Sequence, residues 1–201
     1  MDKDWTGNKA TTYAVLGASN HVDHDRAEHD YYATDPIAIK MLNKTDFFDG
    51  VNTIWEPAAG GGHLVRAMRD LGLNVIASDK YSHEGIELDA IWDFLNDNPI
   101  KCDAIVTNPP YKYALEFCER AIENGPKKVA MFLKLTFLEG QKRQKFFQDH
   151  PPRYVAVCVN RVQCALNGDK EMFSKSSAAC YAWFIWEKDY KGRPEILWVV
   201  K

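Results

Sequence analysis

The chain has 201 residues, 46% of them hydrophobic and 26% charged, with a net charge of −3. That balance fits one soluble globular domain with a sizeable core, and excludes a disordered chain or one of low complexity. No apolar run is long enough to cross a bilayer, and the polar, acidic opening Met1-Asp2-Lys3-Asp4 does not read as a secretory signal. Five cysteines, at 102, 118, 158, 164 and 180, form no Cys-x-x-Cys pair. They are expected to be reduced core thiols of a cytosolic protein, with no disulfide or zinc framework.

Residues 1–30 are polar, lack periodicity and are expected to form a flexible N-terminal arm. The arm holds His21, Asp23, His24, Asp25 and His29, but their spacing matches no metal motif, and no metal is expected. Residues 31–201 are expected to fold as a single domain. Asp35-Pro36 predicts a helix start, since Asp caps well and Pro suits the first turn; the helix should reach about residue 43. A strand over 51–56 runs into a glycine cluster, and a helix over 63–71 stops at Gly72. The strand at 75–77 ends at Ser78-Asp79, and a short strand or turn covers 88–94. The apolar run 104–107 is a buried strand, followed by a helix over 113–123 that Gly125-Pro126 ends.

A strand over 129–135 and a basic helix over 139–148 come next, closed by Pro151-Pro152. Two further strands, 154–159 and 180–186, flank a polar stretch at 160–177, and 196–200 reads as an edge strand. Alternating strands and helices predict an α/β fold with a mostly parallel, doubly wound sheet. The last two strong strands have no helix between them and predict an antiparallel pair.

The most informative feature is Asn108-Pro109-Pro110-Tyr111, placed where a buried strand should end. Open α/β sheets bind ligands beyond the carboxyl ends of their strands. The tetrad offers acceptors for an amino group and a flat face for a planar one. That suits methyl transfer to a nitrogen whose lone pair is conjugated. Upstream, Glu56 precedes Pro57-Ala58-Ala59-Gly60-Gly61-Gly62 at the end of the first strong strand. The run is neither a full dinucleotide fingerprint nor a P-loop. Glu56 would repel a pyrophosphate and suits an ammonium group. Asp79, nineteen residues after Gly60, has the position of an acid that accepts from ribose hydroxyls. Asp93-Phe94 offers an acceptor and an apolar wall for an amino-bearing ring.

Taken in order, these pieces resemble the S-adenosylmethionine-dependent amino-methyltransferases of DNA, and most closely the small phage and prophage-type N6-adenine enzymes. The resemblance covers roughly residues 30–190, including the run Ala182 to Lys188. It implies a Rossmann-like class I methyltransferase domain. Tyr32, Thr34 and Pro36 lie in the segment that resembles the one over the cofactor's methionine end. Glu56, Ala58 and Gly60 match the cofactor loop, Asp79 the ribose acid, and Asp93 and Phe94 the adenine pair. Asn108, Pro109, Pro110 and Tyr111 match the catalytic tetrad, with Asn108 also facing the cofactor. The resemblance implies S-adenosylmethionine as cofactor and duplex DNA with a flipped adenine as partner. It also implies a bacterial, cytoplasmic and phage-type setting.

The Asn108 side-chain oxygen and the Pro109 carbonyl are the expected acceptors for the target amine, and Tyr111 its stacking partner. No Pro-Cys dipeptide is present, which argues against ring-carbon methylation through a cysteine adduct. Phe173, in the possible recognition insert at 160–177, is a candidate second aromatic. Lys142, Arg143 and Arg161 are candidate phosphate contacts. Trp183, Phe184 and Trp186 are expected in the core. The insert is short, so specificity would be relaxed or supplied by a homodimer or a separate partner. The same tetrad serves a protein glutamine side chain or an RNA base, and a third alternative is a nucleic-acid-binding protein without turnover.

Overall fold

The computed structural model describes residues 32–166 and 179–201. The arm at 1–30, and with it His21, His24 and His29, lies outside them, as does most of the stretch 160–177. In chain order the elements are β1 (Tyr32–Thr34), α1 (Ile37–Leu42), β2 (Thr53–Glu56), α2 (His63–Asp70), β3 (Asn74–Asp79) and β4 (Ala90–Ile91). There follow β5 (Ala104–Thr107), a 3-10 turn (Tyr111–Tyr113), α3 (Ala114–Glu123) and β6 (Lys128–Lys134). A second 3-10 turn (Leu135–Leu138) leads to α4 (Gln141–Asp149), β7 (Tyr154–Cys158), β8 (Cys164–Leu166), β9 (Tyr181–Glu187) and β10 (Glu195–Val199).

Eight strands form one sheet in the order β10-β7-β9-β6-β5-β2-β3-β4. Neighbours are parallel except where β9 lies between β6 and β7, antiparallel to both. The predicted antiparallel pair of β7 and β9 is present. Its second neighbour, β6, is a long-range pairing with no local signal. The central strands read as unbroken apolar runs because both faces are covered: all four residues of β5 are buried. One face packs Ile39, Leu42, Phe47, Ile54 and Met68 with Phe132 and Trp183. The other packs Phe94, Phe117, Phe137, Phe146, Phe184 and Trp186. Trp183 and Phe184 are fully buried, and the Trp183 indole N–H donates to the Ala38 carbonyl (2.8 Å), so the ring is buried without stranding its polar edge.

Asp35 does accept from the N–H of Ile37 (2.9 Å), which places the start of α1 where the Asp-Pro pair predicts it. All five cysteines are free, but Cys180 is exposed, not a core thiol. The polar stretch after β7 is not irregular throughout. Its residues 164–166 form β8, which pairs antiparallel with β1: Tyr32 opposite Leu166, Ala33 opposite Ala165, Thr34 opposite Cys164. Each strand has three residues, too few for alternation to reveal. No described helix is long and apolar enough to cross a membrane.

Candidate active site

Because β4, β3, β2 and β5 are adjacent and parallel, their carboxyl ends emerge along one edge. The turns that follow them bring Pro57 and Ala58, Asp79 and Lys80, Asp93 and Phe94, and Asn108 to Tyr111 together. They line one cleft of about 500 Å³. A small recess of about 20 Å³ lies beside it, walled by Tyr32, Thr34, Glu56, Ala58, His63 and Asn108.

The glycine turn is shaped by its contacts with β3. Ala59 N–H donates to the Ser78 carbonyl (3.0 Å) and Gly60 N–H to Asp79 Oδ2 (2.8 Å). Gly62 has φ of +77° and starts α2; a Cβ there would lie 2.5 Å from Ile86 Cδ1, so the position admits only glycine. Glu56, at the end of β2, is buried. Its Oε1 accepts from Ala58 N–H (3.3 Å), while Oε2 and the neighbouring Thr107 hydroxyl are both buried without a hydrogen bond of good geometry. Burial pushes its carboxyl up to about 8; the Thr107 hydroxyl and the Ala58 N–H pull the other way, and the charge of Asp79 adds to the rise.

Asp79 and Asp93 differ from Glu56 in being satisfied. Asp79 takes Gly60 N–H on Oδ2 and Tyr81 N–H on Oδ1 (3.0 Å), with His83 Nε2 at 3.7 Å. Asp93 Oδ2 meets Lys80 Nζ at 2.8 Å and Asn96 Nδ2 at 2.9 Å, and Oδ1 accepts from Leu95 N–H (3.2 Å). Partial burial alone would raise its carboxyl, but the Lys80 and Asn96 hydrogen bonds hold it below the usual carboxylate range. Phe94 is buried against Trp55 (5.1 Å between ring centres) and Phe117 (4.8 Å), and lines the cleft.

At the tetrad, Asn108 Nδ2 donates to Thr34 Oγ1 (2.8 Å) and to the Tyr32 carbonyl (3.4 Å). The Tyr32 carbonyl can only accept, so the amide nitrogen must face β1. Asn108 Oδ1 is thereby turned away from β1, buried and without a hydrogen-bond partner. Pro109 is buried, and Pro110 leads straight into the 3-10 turn. The Tyr111 hydroxyl is 2.9 Å from that of Tyr181, its ring centre is 5.2 Å from Tyr32, and Lys134 Nζ lies 4.7 Å over the ring.

Other candidate residues are elsewhere. Pro36 is exposed at the start of α1 and lines neither space; its place is in starting the helix. Gly60 braces Asp79 from behind and is not on the cleft wall. Lys142 is exposed on α4; Arg143 is turned onto the carbonyls of Glu139 (2.6 Å) and Thr136 (3.4 Å). Arg161 donates to Cys180 Sγ (3.3 Å). None of the three lines the cleft, and Phe173 lies outside the described residues. Sequence reasoning missed Lys80, Trp92, Lys112 and Tyr113, which do line it. Each lies within two residues of one that the sequence did single out.

No family model matches this chain, and no curated protein matches it by sequence. Solved structures do share its architecture. A dimethyladenosine transferase from Plasmodium falciparum superposes with a TM-score of 0.51 at 16% identity, over 79% of this chain and 62% of that one. A protein from Lactococcus lactis provisionally named a hemolysin gives 0.56 at 13% identity, over 80% and 91%. A chain of a type I R-M system gives 0.51 at 13%, over 82% and 43%. This chain therefore spans less than two thirds of the Plasmodium enzyme and under half of the R-M chain. With the strand order above, these likenesses define the class: an α/β protein with the Rossmann-like fold of the methyltransferases.

Proposed function

We propose that this protein transfers a methyl group from S-adenosylmethionine to the exocyclic amino group of adenine in DNA, acting on a base turned out of the duplex. The observation that carries the reading is Asn108. Its amide nitrogen is anchored to β1, while its oxygen is a buried acceptor with no partner, beside a cleft shared with the glycine turn. Leaving such an acceptor unpaired costs about 1–3 kcal/mol, which a ligand N–H would recover. One structural neighbour is named for dimethyladenosine and another belongs to a type I R-M system, and both names agree with base methylation.

The residues present fit the cofactor. The unpartnered Oε2 of Glu56 at the small recess suits its ammonium group. Asp79, already oriented by two N–H donors, keeps lone pairs for ribose hydroxyls, and Phe94 with Asp93 walls the far end for the adenine ring. When bound, the cofactor supplies an electrophilic methyl group on sulfur. The chain's own task is to present the amine. Asn108 Oδ1 would accept one amine hydrogen and the Pro109 carbonyl the other, favouring a pyramidal nitrogen with its lone pair out of the ring plane. The two prolines fix that carbonyl beforehand. Tyr111, held through its hydroxyl by Tyr181, would face the target ring. Attack then requires alignment more than a strong base.

The reading is tested by tritium transfer from labelled S-adenosylmethionine, with duplex DNA, single-stranded DNA, RNA and a mixed protein extract offered side by side. Label in N6-methyladenine of DNA is expected. Label confined to protein or to RNA overturns the substrate, and no transfer to any of them overturns the activity.

A further inference from the structure

The far edge of the sheet carries a feature that the cleft does not use. Strand β10 pairs with β7 on one side, and among the described residues no strand pairs with the other. Ile196, Trp198 and Val200 alternate along it and are 56%, 71% and 48% exposed, whereas Val199 is buried. Glu195 N–H donates to the Arg153 carbonyl, and the Val199 carbonyl accepts from Val159 N–H. Main-chain groups at 195 and 199 therefore face β7. By the alternation of a strand, those of 196, 198 and 200 face outward. An edge with a bare apolar stripe and no lysine or proline inside it is one that proteins normally protect.

We propose that this edge is a dimer interface, in which β10 pairs antiparallel with β10 of a second copy of the chain, Trp198 opposite Trp198. Charge selects that register. It sets Glu195 opposite Lys201 at both ends and Ile196 opposite Val200, so the two stripes merge on one face. Residues 196, 198 and 200 exchange their outward N–H and C=O groups as hydrogen-bonded pairs about the two-fold axis. Slipping the centre to Leu197 also satisfies alternation, but brings Arg193 against Lys201 and sets Pro194, which has no N–H, opposite Val200. Glu195 already pairs with Arg153 at 3.2 Å, so the same edge has an acid held at the rim, ready for the second cation.

The test is sedimentation equilibrium of the full chain from about 1 to 100 µM, without cofactor or DNA, so that its outcome is independent of the proposed activity. A concentration-dependent dimer is expected. Trp198→Glu should abolish it, with circular dichroism confirming that this exposed substitution leaves the fold intact. Glu195→Lys should weaken it about tenfold by opposing like charges at both ends. The double change Glu195→Lys/Lys201→Glu should restore it, although the Arg153 pair is still missing in that variant. A monomer throughout the range overturns the proposal, as does a dimer indifferent to Trp198→Glu. A dimer that ignores the charge reversals, or is not restored by the double change, overturns the register.

Discussion

The two ends of the cleft treat their acceptors in opposite ways. At the tetrad end, in the small recess beside the cleft, Glu56 Oε2 and Asn108 Oδ1 are buried without partners. At the far end, every oxygen of Asp79 and Asp93 already holds a hydrogen bond within the chain. A buried acceptor left bare costs the free protein about 1–3 kcal/mol. On the proposed function, the difference separates groups left for a ligand from groups that hold the walls in shape. On that reading, burial keeps Glu56 protonated until a cation enters and favours its carboxylate, and an amide oxygen with an anchored nitrogen is left for a donor N–H.

The largest effect expected from breaking this division is at Asn108. Asn108→Ala should lower kcat by at least about 10²–10³-fold, the scale seen when one preorganised polar group is removed from a reacting centre. Affinity for S-adenosylmethionine, read by calorimetry, should change little. Glu56→Gln should come next, weakening the cofactor about 10–100-fold through loss of the ammonium's counter-charge. Its pH signature is distinctive. Because burial pushes Glu56 up to about 8 from an ordinary value of 4.5, the folded state holds a proton that the unfolded state releases first. The contribution of Glu56 to stability should be greatest below about 4.5 and fall as pH rises towards about 8, at up to about 1.4 kcal/mol per pH unit. Urea midpoints measured across that window should slope downward in the wild type and lose this component in Glu56→Gln. Saturating cofactor should flatten the slope, and its affinity should rise as pH approaches 8.

The order of the turns was legible because it depends on local signals: apolar strands followed by glycines, acids or prolines. Hence Glu56, Ala58, Asp79, Asp93, Phe94 and the tetrad were all expected at strand ends, and they do share one edge. The partner of Asn108 was not legible. It depends on β1 and β8, two three-residue strands about 130 positions apart, whose pairing has no periodicity to reveal it. Thr34 was expected to face the cofactor; it walls the recess beside Glu56, and its hydroxyl also meets the amide of Asn108, a contact that the sequence did not suggest. Lys142, Arg143 and Arg161 lie off the cleft. Charge runs are visible in sequence, but whether a guanidinium turns onto a backbone carbonyl, as at Arg143, or onto a cysteine sulfur, as at Arg161, is decided by tertiary contacts.

That hidden contact gives a third, smaller prediction. Thr34→Val removes the hydroxyl acceptor and leaves only the longer contact with the Tyr32 carbonyl, so the Asn108 amide is less firmly oriented. One neutral hydrogen bond is worth about 1 kcal/mol, so kcat should fall about 5–10-fold. KM for the cofactor should be nearly unchanged, and Thr34→Ser should recover most of the rate. A cofactor defect without a rate defect would return Thr34 to the role that the sequence suggested.

Asp93→Asn should have the least effect, and for that reason it tests the division most directly. Lys80 and Asn96 satisfy the carboxylate before any ligand arrives, and the pair with Lys80 is solvent-facing, so salt screens it. The variant should lose a little stability at neutral pH and low salt, and less at high salt. Since hydrogen bonds hold the Asp93 carboxyl low, its contribution is present above the ordinary carboxylate range and disappears as pH falls below it. Wild type and variant should then converge in acid, opposite in direction to the behaviour expected of Glu56. Turnover should stay close to wild type. If Asp93→Asn instead costs as much cofactor affinity as Glu56→Gln, then a satisfied acid is being used as heavily as a bare one, and the contrast between the two ends does not hold.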